Sequence, residues 1–390
     1  INRGISPIYE EGLGDLLCSC VNGGSLRAST GYEEAENTGI TFICVGTYSG
    51  SEGGTDLSQI EDAVRNIGTL LSRKQGFHIV AIKSTVAPGT TERMVIPLLE
   101  QVSGKKVGKD IGVAVNPEFL EEGRALRCFL KPDRIVIGES DRKTGDILEG
   151  LYSGFPAPVI RTGLATAEMI KYAANAFLST KVSFINEIGN ICSKLGIDAY
   201  DVADGIGCDP RIGRKFLNAG IGFGGSCLPK DLHKLVATAD ELGYRPRLLE
   251  SVIDVNRDQP SRMVEAAEGA IGDLKGKAVA VLGLAFKPDT DDMRDAPSIR
   301  VIASLLDKGA SVRAYDPKAM EAARRTIDKQ IEYCESARQA IDKADCVLIV
   351  TEWDEFRDEA LYNGRVVIDG RRALDPEKAR AICDYYGICW

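Results

Sequence analysis

A cysteine on a glycine-rich turn is the residue of this sequence best suited to covalent chemistry. Cys227 lies in the run GFGGSCLPKD, residues 222–231. Pro229 suits the first turn of a helix, where its missing N–H is not needed, and Leu232 and Leu235 follow at helical spacing. Unpaired N–H groups at such a helix start favour the thiolate, which is the nucleophilic form of cysteine. The alternative is a buried cysteine that only fills space after a flexible turn.

Two further clusters could take part in proton transfer or charge stabilisation. In NPEFLEEG (residues 116–123), Glu118 and Glu122 would share a face of a helix, where two carboxylates can orient a water or exchange protons. A solvated acidic helix start is the alternative. Lys171 and Asn175 would also share a helical face, and a cation beside an amide can stabilise a developing alkoxide. A lysine that reaches solvent beside an interhelical amide hydrogen bond is the alternative there.

Cations follow two predicted strands in the last third of the chain. Lys287 ends the run GLAFK after one strand, Arg294 follows shortly, and Arg371 and Arg372 come directly after another. Arginine forks match phosphate and carboxylate groups, so these turns are candidate anion sites.

The elements that must position these residues alternate between strands and helices in the first third of the chain. Continuous apolar runs at residues 39–47, 77–83, 111–115 and 134–138 predict buried strands, and residues 56–71 predict a helix. This rhythm is typical of a doubly wound α/β sheet, whose ligands bind beyond the carboxyl ends of the strands.

The middle of the chain is predicted to be helical, and α/β patterning resumes after it. Residues 165–193 predict one long helix, with shorter helices near 198–204 and 231–242. Strands are predicted at 277–283, 310–317, 346–351 and 366–369. We therefore expect two Rossmann-like domains, residues 1–160 and 263–390, joined by an all-helical region, residues 161–262.

Composition excludes several classes of protein. The net charge of −9 over 390 residues argues against nonspecific binding of nucleic acid or an anionic membrane. The eleven cysteines show no disulfide framework, which indicates a reducing cytoplasm, and no His/Cys spacing predicts a metal site. No apolar run is of membrane-spanning length and no signal-peptide pattern is seen.

Five motifs together resemble the UDP-glucose/GDP-mannose dehydrogenase family of nucleotide-sugar 6-dehydrogenases. They are, in chain order, KSTV (83–86), NPEFL (116–120), KYAANAF (171–177), GFGGSCLPKD (222–231) and GLAFK (283–287). The resemblance implies an NAD-binding Rossmann domain, a helical dimerisation core and a second Rossmann-like domain for the nucleotide of the sugar. It also implies that two NAD⁺ oxidise a C6 alcohol to a carboxylate, while a cysteine holds the aldehyde as a thiohemiacetal and then a thioester.

The resemblance implies a role for each matching residue. Cys227 is the nucleophile, Lys171 and Asn175 steady the oxyanion, and Asp231 and Thr85 position a water. Glu118 is an acid/base. Further cofactor-side residues are Val45, Gly46, Thr47, Ser84, Glu122 and Arg294. Further substrate contacts are Phe119, Leu120, Arg211, Phe216, Leu217, Gly222, Phe223, Gly224, Lys287 and Arg372.

One departure from the family pattern concerns the cofactor. The family's first strand, its Gly-rich phosphate turn and the acid for the cofactor ribose are not in this sequence, so the N-terminal domain is expected to be incomplete. NAD binding is therefore inferred from the resemblance alone.

The expected substrate is UDP-glucose, converted to UDP-glucuronate by a homodimer or a larger homo-oligomer. The alternatives are a GDP-mannose 6-dehydrogenase, a two-electron β-hydroxyacid or 6-phosphogluconate-type dehydrogenase, and a noncatalytic nucleotide-sugar-binding protein. The two-electron enzymes need no cysteine, which argues against them.

Overall fold

The chain folds into two compact α/β units, Ile1–Ala174 and Asn175–Trp390, in a computed structural model. The structure describes residues 1–8, 10–49 and 55–390. Each unit is built on a sheet of mainly parallel strands, as the alternating pattern predicted. The predicted domain boundaries at 160 and 262 stay a prediction.

The first unit contains a five-stranded sheet and a separate two-stranded hairpin. Its strands are β1 (Ile40–Ile43), β2 (Tyr48–Ser49), β3 (Thr55–Asp56), β4 (His78–Ile82), β5 (Ile111–Val115), β6 (Ile135–Glu139) and β7 (Val159–Thr162). Its helices are α1 (Leu13–Asn22), α2 (Ser58–Arg73), α3 (Ile96–Ser103), α4 (Ala125–Leu130), α5 (Arg142–Leu151) and the start of α6 (Leu164–Leu195). Every residue of β4 and β5 is buried, which explains their uninterrupted small and apolar sequences.

This sheet is mixed rather than wholly parallel, as is common among doubly wound folds. Its order is β1-β4-β5-β6-β7, and β6 runs antiparallel to β5. The segment between these two strands contains one short helix, the six-residue α4. The carboxyl ends of β1, β4 and β5 nevertheless share one edge, because these three strands are parallel.

The second unit contains a six-stranded sheet in which all neighbours are parallel. Its strands are β8 (Ala278–Leu282), β9 (Ser311–Tyr315), β10 (Glu332–Tyr333), β11 (Cys346–Ile349), β12 (Val366–Asp369) and β13 (Asp384–Gly387). Its further helices are α7 (Ala199–Gly207), α8 (Leu228–Glu241), α9 (Arg247–Ile271), α10 (Pro297–Asp307), α11 (Met320–Thr326), α12 (Ala337–Asp342) and α13 (Pro376–Arg380). The order β10-β9-β8-β11-β12-β13 reverses between β8 and β11, which marks the place where such sheets bind ligands.

Four helices, α6 to α9, follow one another between β7 and β8, so the middle of the chain is helical as predicted. The sequence did not predict α9, a 25-residue helix with Pro260 inside it. None of the helices that the structure describes is long and apolar enough to cross a membrane.

Candidate active site

Cys227 lies at the start of α8, as its sequence context predicted. It is the exposed residue immediately before Leu228, and Pro229 occupies the first turn. Its carbonyl accepts the first helical hydrogen bond, from the Asp231 N–H at 2.9 Å. The thiol is therefore open to solvent at the end of a helix where N–H groups lack intrahelical partners.

Asp231 lies under this helix start and is almost completely buried, with 1% of its surface exposed. Its two carboxylate oxygens accept separate hydrogen bonds, from Asn175 Nδ2 at 2.6 Å and from Lys230 Nζ at 2.7 Å. The structure thus brings three of the predicted catalytic residues, Cys227, Asp231 and Asn175, into one part of the second unit.

The glycines before Cys227 are required by close packing as well as by backbone conformation. Gly222 and Gly225 have positive φ angles of 92° and 86°. A Cβ on Gly224 would lie 2.3 Å from the Asp295 carbonyl oxygen, and one on Gly225 would lie 2.8 Å from the Phe286 ring. The turn therefore admits no side chain at these positions.

Lys171 and Glu118, two of the predicted catalytic residues, form an ion pair in the first unit. Lys171 Nζ lies 3.0 Å from Glu118 Oε1, and the lysine side chain is only 5% exposed. The ring of Phe119 lies under two cations, Arg134 at 3.7 Å and Lys171 at 5.5 Å. The site therefore combines a desolvated ammonium group with a carboxylate, a pair suited to proton transfer.

The expected helical pairing of Glu118 with Glu122 is wrong. Residues 116–122 form a loop, and α4 begins only at Ala125. Glu118 Oε2 accepts a hydrogen bond from the Leu120 N–H at 2.5 Å, and such side-chain-to-backbone bonds compete with helix formation. Glu122, in the same loop, also takes part in an interaction within the chain.

Four of the predicted cofactor-side residues follow the carboxyl ends of β1 and β4, namely Val45, Gly46, Thr47 and Ser84, whereas Glu122 follows β5 and Arg294 lies in the second unit. The hydroxyl groups there link the two loops: Thr47 Oγ1 donates to the Thr85 carbonyl at 3.0 Å, and Ser84 Oγ donates to the Val45 carbonyl at 2.6 Å. Gly46 is exposed between them. Open α/β sheets bind their ligands beyond this edge, where parallel strands end.

Three polar residues that were not assigned roles organise this unit. Asn116 accepts from Lys83 Nζ at 3.0 Å and from the Tyr152 hydroxyl at 2.5 Å. Burial lowers the pKa of Lys83. Glu168, one turn before Lys171 on α6, accepts from the Gly89 N–H at 2.5 Å and from the Thr91 N–H at 2.9 Å. Burial also raises the pKa of Glu168, which holds the turn that follows β4.

The predicted nucleotide-binding cations contact carboxylates and aromatic rings of the chain. Arg372 pairs with both oxygens of Asp198 at 2.6 Å and stacks 4.4 Å from the Tyr200 ring. Arg294 pairs with Asp292 at 2.7 Å, and Lys287 lies 5.9 Å from the Phe286 ring.

The other predicted substrate contacts differ in exposure. The Arg211 side chain is 87% exposed and pairs with Asp209. Phe216 is 43% exposed, whereas Leu217 is 1% exposed and belongs to the hydrophobic core. A contact of Leu217 with a ligand would therefore have to use its backbone.

Asp316, the acid directly after β9, binds the GLAFK turn (residues 283–287). Asp316 accepts from the N–H groups of Leu284 at 2.7 Å and Ala285 at 3.1 Å, and from Trp353 Nε1 at 3.1 Å. Its other oxygen accepts from two N–H groups at the start of the next segment. In a dinucleotide-binding sheet the acid in this position holds a ribose, whereas here its acceptors are already occupied.

The chain matches a known family along most of its length. Residues 1–156 match the NAD binding domain of the UDP-glucose/GDP-mannose dehydrogenase family, residues 165–258 its central domain and residues 280–376 its UDP binding domain. The chain therefore belongs to the UDP-glucose/GDP-mannose dehydrogenase family, as its motifs predicted. It is an oxidoreductase that uses NAD as its cofactor.

Similar proteins cover nearly the whole chain. A UDP-glucose 6-dehydrogenase of Haloferax volcanii is 46% identical over 384 residues, which are 96% of this chain and 88% of that protein. One of Bacillus subtilis is 42% identical over 396 residues, which are 100% of this chain and 89% of that protein. The structure of a UDP-glucose dehydrogenase from Pyrobaculum islandicum is 41% identical, with a TM-score of 0.94 over 100% of this chain and 89% of that chain. The noncatalytic alternative finds no support in these similarities.

Proposed function

We propose that this protein oxidises the C6 alcohol of UDP-glucose to the carboxylate of UDP-glucuronate, with Cys227 as the covalent nucleophile. The observation that carries this proposal is the exposed Cys227 thiol on its close-packed glycine turn, directly before α8. The relatives at 46% and 42% identity are both named UDP-glucose 6-dehydrogenases, which supports this substrate over GDP-mannose.

The thiol is needed because the alcohol must lose four electrons in two steps. NAD⁺, when bound, accepts one hydride in each oxidation. In the first, the C6 hydroxyl gives its proton to Glu118 and becomes an aldehyde. The Cys227 thiolate then adds to the aldehyde carbon, so a C–S bond forms and the carbonyl oxygen becomes the oxygen of a thiohemiacetal.

The second oxidation removes the remaining hydrogen from this carbon and leaves a thioester. Lys171 and Asn175 are assigned to stabilise the oxygen while it carries negative charge. Water, positioned by Asp231 and Thr85, then attacks the thioester carbon. The C–S bond breaks, the thiolate is released, and the product is a carboxylate.

The remaining predicted residues are assigned to binding. We assign Val45–Thr47, Ser84, Glu122 and Arg294 to the cofactor side. The substrate side comprises Phe119, Leu120, Arg211, Phe216, Leu217, Gly222, Phe223, Gly224, Lys287 and Arg372. We also retain the proposed domains, residues 1–160 for NAD, 161–262 as the central region and 263–390 for the UDP group.

An exposed apolar row on α6 supports a homodimer. Phe177, Phe184 and Ile191 recur every seven residues and are 64%, 48% and 52% exposed. A heptad row of exposed apolar residues on a 32-residue helix is suited to packing against a second copy of that helix. We place the protein in a reducing cytoplasm, since all eleven of its cysteines are free.

The test is NADH release from a panel of UDP- and GDP-sugars. We expect two NADH for each UDP-glucose consumed and UDP-glucuronate as the product. One NADH per sugar would refute the four-electron reaction, and turnover of GDP-mannose alone would reassign the substrate.

The thiol is tested with Cys227→Ser, and Cys208→Ser serves as the matched control because Cys208 is also an exposed free cysteine. We expect Cys227→Ser to abolish the release of UDP-glucuronate while UDP-glucose binding is kept, and Cys208→Ser to behave as the wild type. Full activity of Cys227→Ser would disprove the assigned role.

A further inference from the structure

Side-chain amides bind the backbone of the turn before Cys227 as a neighbouring strand would, by pairing with both the N–H and the carbonyl of one residue. The Phe223 N–H donates to Asn256 Oδ1 at 2.7 Å, and Asn256 Nδ2 donates back to the Phe223 carbonyl at 3.0 Å. Both backbone polar groups of Phe223 are thus bound by one side chain of α9.

Gly220 is held in the same way by two other amides. Its N–H donates to Asn186 Oδ1 at 2.8 Å, and its carbonyl accepts from Gln259 Nε2 at 2.7 Å. Gln259 is oriented in turn by Asn190 Nδ2, which donates to its Oε1 at 2.8 Å. Asn186 and Gln259 are completely buried, so these bonds do not compete with water. We call Asn186, Asn256 and Gln259 the amide clamp.

The backbone between and after these two residues is bound as well. The Ile221 N–H donates to the Gly370 carbonyl at 3.2 Å, and Arg371 Nη1 donates to the Gly222 carbonyl at 2.7 Å. The Gly225 N–H donates to the Arg294 carbonyl at 2.9 Å. The clamp therefore fixes both ends of a turn whose middle is also attached to the second sheet.

The clamp also occupies the space that the glycines leave. A Cβ on Gly222 would lie 2.5 Å from Asn256 Oδ1. A turn rich in glycine is intrinsically flexible, and without external bonds it would sample many conformations. A nucleophile that follows such a turn needs a defined position, because displacement by about 1 Å can cost a factor of about 100 in rate.

We propose that the amide clamp positions Cys227 for capture of the aldehyde, with Asn256 as the principal positioning residue. The inference rests on the proposed function, because only a covalent route through an aldehyde needs the sulfur at a fixed distance from C6. The first oxidation does not use the thiol, whereas the second does. Loosening the clamp therefore impairs the second step selectively.

The test uses Asn256→Asp, which keeps the acceptor for the Phe223 N–H but sets a carboxylate against the Phe223 carbonyl. Wild type and variant turn over UDP-glucose with NAD⁺ in the presence of hydroxylamine, which converts free aldehyde to an oxime. We expect kcat for UDP-glucuronate to fall about 100-fold, NADH per UDP-glucuronate to rise above two, and the oxime to accumulate. The wild type gives two NADH and no oxime.

Asn190→Ala is the milder second variant, because it removes only the outer partner of Gln259, and it keeps the test valid if Asn256→Asp does not fold. It is expected to shift the product ratio in the same direction by a smaller factor. Asn66→Ala, an exposed change on α2, is the control and leaves the ratio unchanged.

A merely structural clamp would lower the folded fraction and reduce both products equally. Activity loss with two NADH per UDP-glucuronate and no oxime would therefore overturn the proposal. If the wild type itself released only one NADH per sugar, the proposed function would fail instead, so the two failures are distinguishable.

Discussion

A buried histidine makes the first unit sensitive to acid. The chain has two histidines. His78, in the fully buried strand β4, has 1% of its surface exposed. Its Nδ1 donates to the Thr38 carbonyl at 3.0 Å, so its Nε2 is the acceptor for the Thr41 hydroxyl at 2.9 Å. The neutral ring satisfies both bonds with its proton on Nδ1, since a carbonyl oxygen can only accept.

The size of the acid-induced loss of stability follows from the pKa of the His78 ring. Burial, with the nearby charges of Lys74 and Lys105, lowers the pKa of His78 from 6.5 to about 4. Between these values the unfolded chain takes up a proton that the folded chain does not, so stability falls as the pH falls from 6.5 towards 4. At about 1.4 kcal/mol per pH unit, the first unit should lose about 3 kcal/mol across this window.

The assay must report on the first unit alone. Both tryptophans, Trp353 and Trp390, lie in the second unit, so their fluorescence reports directly on that unit and not on β4. Hydrogen exchange of peptides that cover β4, measured across the pH window and corrected for intrinsic rates, gives the opening free energy of this strand directly.

His78→Gln is the decisive variant, because a glutamine amide can keep both hydrogen bonds but does not titrate. We expect it to remove most of the acid-induced loss at β4. The exposed His233 gives the matched control, and His233→Gln is expected to keep the wild-type profile. An unchanged pH profile in His78→Gln would refute the assignment of the acid sensitivity to this ring.

Two further substitutions test other features. Glu168→Gln replaces the buried acceptor for the Gly89 N–H with a donor, so the free energy of unfolding from thermal denaturation should fall by about 1–3 kcal/mol. The exposed Glu92→Gln on the same turn should have no such effect. Equal effects of the two substitutions would argue against the assigned role of Glu168. Phe184→Asp should convert the proposed dimer to a monomer in light-scattering measurements after size exclusion. Ile160→Asp, which changes an exposed apolar residue on β7, should leave the dimer intact. A dimeric Phe184→Asp protein would exclude this face of α6 as the interface.

The sequence was sufficient to predict most buried strands, because their apolar runs are local signals. The run at 366–369 coincides with β12, and the run at 111–115 coincides with β5. The direction of β6 could not be predicted, since periodicity shows which residues are buried but not which way a strand runs. The helix expected at Glu118 failed because a side-chain bond to the Leu120 N–H replaces helical bonding there.

The predicted nucleophile could be recognised locally, whereas the residues that hold it could not. Glycines and a cysteine before a helix, with a proline in its first turn, form a pattern visible within ten residues. Asn256 contacts Phe223 from 33 residues away, and Gln259 contacts Gly220 from 39 residues away. An isolated asparagine or glutamine in a helix carries no sign of such a distant partner, and α9 itself was missed.

The packing around the glycine turn restricts how this enzyme can be re-engineered. The missing Cβ positions of Gly222, Gly224 and Gly225 lie within 3 Å of an amide, a carbonyl and an aromatic ring, respectively. Mutant libraries that randomise these three positions will therefore consist mostly of chains that cannot form this turn. Diversity aimed at the sugar is better introduced at Phe216, an exposed residue of the same segment of chain that is assigned to the substrate side.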